Sequence, residues 1–512
     1  MNLFARKLSL SVNSVYAIAG NSASQALLLI SAPVLTRLYT PEDFGIFSIY
    51  VSVVTFLSVF VFLKYELAIP ISNSLSNTLS VLKLCFMLGV LICSAVFAVL
   101  YFLADDFFEL FTKSNIDFPL WTVPVAIFGV ALMNLCRFWL VKAGRFDIMA
   151  ISRGLVVLVL VAVQLVGGFL KVGSIGLIVG HLIGTLFTVL TLVGLVFKKY
   201  LLALRSVRIR SIKIVVKKYL NFPKYIVLSD SLLTIGIHAA PVIIASTYSI
   251  TYAGFFALAY RVALAPVALV AESCGKVFMS RALALRGDPI LPSFVSTSYM
   301  LLVRVAIIPF LLIALLSDDL VTFIFGNDWR ESGRYIALLI PSIAAIFIFV
   351  PIMTLFLVLE RQKMELRFQT FILIFRMLGL VAGIAMGDIY WAILSYSLFA
   401  CAGYVITGCW IMGRSGVGFL SIMRITFSEL LFSILLVVPI AIFMQADMMI
   451  FITNFWHNTS FLVLLALTAG CWIYRVKSSF KSLRKFDDPS FLLKRFNSKC
   501  PSDEGNNENP PS

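Results

Sequence analysis

Apolar residues along this chain do not alternate with polar ones. They gather into runs of about 20 residues, separated by short segments that carry the charges and many of the prolines and glycines. At 1.5 Å per residue, about 20 helical residues cross a hydrocarbon core of about 30 Å. About fourteen such runs are expected to span, near residues 13–36, 44–63, 79–103, 119–141, 154–170, 175–197, 225–246, 252–275, 295–316, 334–358, 368–386, 390–412, 429–447 and 449–474. Inside a bilayer only helices or closed barrels satisfy their backbone groups, and the runs lack the period of two that barrel strands need. The fold class is therefore all-α, a polytopic membrane helix bundle.

Composition agrees. The 512 residues are 61% hydrophobic and 13% charged, against about 25% charged in a soluble domain. Met1 to Lys7 leads into a long apolar run rather than a short core with a small-residue cleavage site, so the first span is expected to be retained. The eight cysteines contain no C-x-x-C pair, and all but Cys500 lie in or beside apolar runs, where Cys acts as a small hydrophobe; neither disulfide nor metal site is expected.

The formal charge of +16 is a topology signal. Of 41 Lys and Arg, five fall within the spans, and five (Arg37, Lys113, Lys171, Arg330 and Arg334) fall in the loops of one side. The other 31 lie on the opposite side, which the positive-inside rule makes cytoplasmic, together with both termini. The localisation implied is multi-pass in a bacterial cytoplasmic (inner) membrane. Lys198 to Lys224 holds nine cations and no acid, but as a loop between spans it reads as a connector on anionic membrane lipids, not a nucleic-acid face.

That connector divides two similar halves. Pro33 is followed by Gly45 and an apolar run, Pro241 by Gly254 and another, and each half continues to an acidic-aromatic segment, Asp105 to Phe111 and Asp318 to Phe325. Repeats framing a central site are a common construction of transporters. The expected organisation is a six-helix lobe over 1–197, a basic connector over 198–224, a second pseudo-symmetric six-helix lobe over 225–412, two extra helices within 413–474, and a basic, then disordered, cytoplasmic tail over 475–512.

Five segments carry a family resemblance: RLYTPEDFGIFS (Arg37 to Ser48), KYELAIP (Lys64 to Pro70), FWLVKAGRFDIMAISR (Phe138 to Arg153), KYLNFPKYIVLSDSL (Lys218 to Leu232) and FGNDWRESGRY (Phe325 to Tyr335). In this order they resemble the polysaccharide-export and Wzx-type oligosaccharide flippases of the MOP superfamily, relatives of the lipid II flippase and the MATE exporters. The resemblance implies two lobes around a cavity that opens to each side in turn. It also implies an undecaprenyl-diphosphate-linked oligosaccharide as substrate, for O-antigen, capsule or exopolysaccharide. A polysaccharide polymerase and a chain-length regulator are the expected partners, with no cofactor and no catalytic residue.

A flippase must shelter an anionic head from hydrocarbon, and a charge at mid-bilayer costs about 2.5–3.5 kcal/mol on the insertion scale, so the cations within spans are the candidate ligands. Arg261, Arg304 and Arg376 lie deep; Arg137 and Lys83 lie near span ends and can snorkel. Arg suits phosphate because its planar fork donates two hydrogen bonds and stays charged. The competing reading of each is an internal ion pair. Asp230, Glu272 and His238 could couple a proton or sodium ion, or could pair with Arg261 or Lys276 or simply pack. Two other functions stay open: a MATE-like exporter of small amphiphiles, and a membrane glycosyltransferase or polymerase using Asp318, Asp319, Asp328 and Glu331. No G-x-x-x-x-G-K-[ST] phosphate loop occurs, so ATP is not the direct fuel within this chain.

Overall fold

Backbone groups cut off from water must bond within their own segment, and the apolar runs accordingly close into helices. The computed structural model describes residues 20, 23–72, 74–102, 121–196, 207–446, 455–484 and 486, and among these every regular element is helical. In chain order they are α1 (Ala23–Leu38), α2 (Pro41–Val61), α3 (Leu75–Phe102), α4 (Thr122–Ala143), α5 (Phe146–Phe169), α6 (Ser174–Val196), α7 (Ile209–Lys218) and α8 (Val227–Thr247). They continue as α9 (Ile250–Ala284), α10 (Leu291–Phe325), α11 (Arg330–Met353), α12 (Gln362–Ala385), α13 (Ile389–Arg414), α14 (Phe419–Ala446) and α15 (Phe455–Arg484).

A helix lies at each of the fourteen expected positions, and α7 lies in the connector. Ten helices are long and apolar enough to cross a membrane, or eleven if Phe222–Leu232 and Thr234–Thr247, bent by 43°, form one span; α1 and Ile250–Ala265 are shorter apolar helices. The protein is thus a polytopic helical membrane bundle. The segment Asp105 to Phe111 lies outside the described residues.

Packing divides the chain into two compact units. One comprises Met1–Ser273, Ile313–Ile343 and Lys363–Tyr404, the other Cys274–Leu312, Ala344–Gln362 and Val405–Ser512. The cut runs through α9, α10, α11 and α13. Helices α9 and α10 reach 35 residues each, although Pro266 and Pro309 lie within them.

In the first unit the five signature segments form two clusters, one at each end of α2. Thr-Pro-Glu-Asp starts α2 as a capping box: Thr40 Oγ1 accepts from the Asp43 N–H at 3.2 Å, Asp43 Oδ2 accepts from the Thr40 N–H at 2.9 Å, and Pro41 sits where no N–H is needed. Trp329, fully buried in the FGNDWRESGRY segment, donates its indole N–H to Thr36 O at 2.9 Å and meets Phe44 edge-on with ring centroids 4.9 Å apart. Ser249 caps α9 as Thr40 caps α2, its Oγ accepting from the Tyr252 N–H at 3.4 Å.

The two helix starts then cross at glycine. A Cβ at Gly45 would collide with the Ile250 carbonyl, and one at Gly254 with the Pro41 carbonyl. Each glycine therefore meets the first helical residue of the other helix, a reciprocal contact between the glycines that the two halves share.

At the other end of α2, Leu63 and Lys64 turn through left-handed backbone (φ 49° and 60°) into the short turns Tyr65–Leu67 and Ala68–Ile71. Lys142, from the FWLVKAGRF segment, caps these turns. Its ammonium lies 2.7 Å from Ser72 O, 2.6 Å from Ser72 Oγ, 2.6 Å from Thr78 Oγ1 and 3.2 Å from Ile69 O. Lys64 pairs with Asp230 at 2.6 Å. In the connector, α7 buries Ile212 and Val215, packs on α3, and exposes Arg210, Lys213, Lys217 and Lys218; Lys83 Nζ donates to Val207 O just before it, at 2.7 Å.

Candidate functional site

The middle of α2 and of α8 frames two cavities that share a wall. The smaller, about 240 Å³, is lined from α2 by Phe44, Phe47, Ser48, Val51 and Ser52, from α8 by Ile237, His238 and Pro241, and from α9 by Phe256 to Leu258, Tyr260 and Arg261. The larger, about 550 Å³, lies among α2, α3 and α8 and is almost wholly aliphatic and aromatic. Ser52 and His238 border both. The Ser52 hydroxyl is satisfied by Ser48 O at 2.7 Å, so it presents little polarity to either side.

Arg261 gives the smaller cavity its charge. No carboxylate is among the lining residues, and no hydrogen-bond or ion-pair partner of Arg261 is found among the described residues. Burial of a cation without a counter-ion is costly, and a site that keeps one is suited to an anion that arrives and leaves. Asp230 is engaged with Lys64, and the Glu272 side chain lies outside the described residues.

Arg376 lies behind that cavity. It is 5% exposed, donates from Nη1 to Gly236 O at 2.6 Å and from Nη2 to Tyr404 Oη at 3.2 Å, and lies over the rings of Tyr396 and Tyr404 at 5.5 and 6.0 Å. Its Nε is buried without a partner among the described residues. Tyr260, which lines the cavity, is within electrostatic reach of this guanidinium. Pro241 cannot donate within α8 and leaves the Ile237 carbonyl without its helical partner; Arg376 braces α8 one residue earlier, at the Gly236 carbonyl. The tyrosines were not distinguishable in the sequence, where Tyr is common and its partners lie far along the chain.

Arg304 takes the ion-pair alternative. Its Nε donates to Glu429 Oε1 at 2.8 Å, its Nη1 to Ser479 Oγ at 2.7 Å, and Arg475 Nη2 reaches the same Glu429 oxygen at 3.0 Å. Trp472 Nε1 donates to Arg304 O at 2.9 Å. This network joins α10 to α14 and α15, and Arg304 is not among the lining of either cavity. It also accounts for the helix continuing to Arg484 where a tail from residue 475 was expected: Arg475 and the buried Ser479 belong to the packed helix. Arg137, in α4, lines neither cavity either, and its Nε is buried without a partner among the described residues.

The acids considered as catalytic candidates include two that are occupied. Arg334 pairs with Glu331 at 2.6 Å and with Asp318 at 3.5 Å, and Tyr390 donates to Glu331 at 2.7 Å.

The family described as polysaccharide biosynthesis protein matches residues 34–334, more than half of the chain. No curated protein matches it significantly by sequence. Among solved structures it is similar to "Lipid II flippase MurJ, inward closed conformation", with a TM-score of 0.65 and 14% identity over 92% of this chain and 99% of that one. It is also similar to an inward-facing multidrug resistance MATE family transporter of the MOP superfamily, with a TM-score of 0.58 and 13% identity over 79% of this chain and 94% of that one. A MOP superfamily transporter from Pyrococcus furiosus, whose description cites a reversed polarity of the binding pocket, gives 0.52 and 13% over 80% and 95%. These are flippases and transporters rather than enzymes. With its signature segments clustered at the ends of α2 and its fold shared with those structures, the chain belongs to the polysaccharide biosynthesis protein family.

Proposed function

We propose that this protein is a flippase that carries an undecaprenyl-diphosphate-linked oligosaccharide from the cytoplasmic to the periplasmic leaflet of a bacterial inner membrane. The glycan would supply a surface polysaccharide such as O-antigen, capsule or exopolysaccharide, passing to a polymerase and chain-length regulator. The observation that carries the reading is Arg261, a cation on a cavity lined from the middle of α2 and α8, with no carboxylate among the lining residues. A diphosphate presents the paired oxygens that a guanidinium fork recognises, and a site shielded from water strengthens that attraction. Arg376 contributes positive field from behind Tyr260 and holds the shape of α8.

The 31 basic residues of one side support an orientation with the connector, both chain ends and the Lys64–Asp230 pair in the cytoplasm, and the Thr40–Ser249 end in the periplasm. In this reading the lobes 1–197 and 225–412 rock about the site, and the Gly45–Gly254 crossing closes the periplasmic side while the head is loaded from the cytoplasm. Export is tested in cells whose own flippase has been deleted. Arg261→Ala and Arg376→Ala are expected to reach the membrane at wild-type levels yet lose at least about 90% of surface glycan, the loss matching about 1.4 kcal/mol at the binding step. Wild-type export by Arg261→Ala would overturn the assignment.

A further inference from the structure

We propose that the larger cavity, among α2, α3 and α8, seats the first isoprenoid units of the polyprenyl chain whose diphosphate Arg261 holds, an inference that rests on the cationic cavity being the head site. The cavities meet at Ser52 and His238. Each of these residues is the twelfth of its 21-residue helix, so the shared wall is half-way along both spans. A head bound at that depth cannot leave its chain in the bilayer unless the chain passes between helices, and the passage must be apolar and must begin beside the phosphate. The 550 Å³ cavity meets both conditions. Its lining includes Val53, Phe56, Leu57, Ile92, Val96 and Val99.

Its volume lies within the about 300–1,000 Å³ usual for a small-molecule site, so it accepts part of a polyprenyl chain while the rest remains outside. The α3 face around it offers that remainder an apolar surface, for Leu91, Phe97 and Tyr101 are exposed. The chemistry favours a polyprenyl diphosphate over a phospholipid. In the former a single chain is esterified directly to phosphate, matching one apolar cavity against one cationic one. A phospholipid inserts a glycerol diester between phosphate and two chains, and the shared wall, whose Ser52 hydroxyl is already bonded to Ser48, offers it only the His238 side chain rather than a polar chamber.

Seating the chain in protein rather than lipid brings little hydrophobic gain, since both are apolar, so the cavity acts by giving the chain room. Filling it must therefore expel the chain and lift the head with it. Ala95 and Val99 line the cavity from α3 and are themselves exposed, so larger side chains there do not disturb a packed core.

The test uses the full-length protein in nanodiscs and measures binding of undecaprenyl diphosphate, of methyl diphosphate as the head alone, and of dioleoyl phosphatidic acid. Ala95→Trp and Val99→Trp are expected to weaken undecaprenyl diphosphate about tenfold or more, while methyl diphosphate binds as to wild type and phosphatidic acid is unaffected. Arg261→Ala is expected to weaken undecaprenyl and methyl diphosphate alike. If both filled variants bind undecaprenyl diphosphate normally while Arg261→Ala loses it, the chain site is refuted and the head site stands. Equal loss of phosphatidic acid in the filled variants would assign the cavity to bilayer lipid and overturn the proposal. If Arg261→Ala binds both diphosphates normally, the head-site reading falls and this inference falls with it.

Discussion

Arg261 and Arg304 look alike in the sequence, single arginines deep in apolar helices, yet their surroundings differ: Arg261 lines a cavity with no carboxylate among its lining residues, whereas Arg304 belongs to an ion-pair network. Arg304 shares Glu429 with Arg475, and Glu429 is 4% exposed. Breaking a buried pair strands a charge and costs about 3–5 kcal/mol. Arg304→Ala should therefore lower thermal stability or membrane yield sharply, with Arg304→Ala/Glu429→Ala recovering part of the loss; a wild-type melting profile for the single variant would refute the structural role. Depth in a span was legible from residue spacing alone. The partner was not, because Glu429 is 125 residues away and Arg475 followed what read as the last span. Glu66 offers a test by pH. It lies outside the spans and is buried, with Oε2 unpartnered among the described residues, and burial raises its carboxyl above the ordinary range against the opposing pull of Lys64. Because the folded state holds this proton more tightly, stability falls as pH rises from the ordinary glutamate value through the raised one. Glu66→Gln should match wild type in acid and exceed it at neutral pH, as thermal unfolding across pH would show; a constant difference would exclude titration of Glu66.

Among elements, the starts of α2 and α9 carry the most specific geometry. The Thr40–Asp43 capping box explains why Thr-Pro-Glu-Asp precedes Phe-Gly, and the close approach explains the glycines, which the two halves share at matching places. A side chain at either glycine must displace the facing helix. Gly254→Val is expected to hold this end apart, so that a cysteine from Ser48→Cys, in a cysteine-free background, becomes reactive to a membrane-impermeant maleimide added outside cells; labelling equal to that of the Gly254 parent would contradict the closure. The spans themselves were legible because about 20 apolar residues leave the backbone no other solution. Helix ends were less so: α9, α10 and α15 continue past the apolar runs, since hydropathy marks where lipid ends and not where helical hydrogen bonding does. The convergence of segments 293 residues apart, Thr36 and Trp329, was not legible from a single chain, although the order of the signature segments was.

For the whole molecule, charge asymmetry predicts an orientation and, with it, a direction for the proposed cycle. The exposed basic face of α7 should be cytoplasmic, and Arg210→Cys should react with an impermeant thiol reagent only after the membrane is opened; labelling from outside intact cells would reverse the assigned topology. With that orientation an anionic head moves outward down the membrane potential, each charge gaining about 2.3 kcal/mol per 100 mV. The most direct measurement of the central claim is transfer of an undecaprenyl-diphosphate-linked oligosaccharide across proteoliposomes containing the purified protein, with a potassium–valinomycin potential imposed in either sense. Wild-type protein should transfer the lipid faster toward the positive side, and Arg261→Ala should fall to the rate of protein-free vesicles. Transfer that never exceeds protein-free vesicles, or that is as fast in Arg261→Ala as in wild type, would contradict the account.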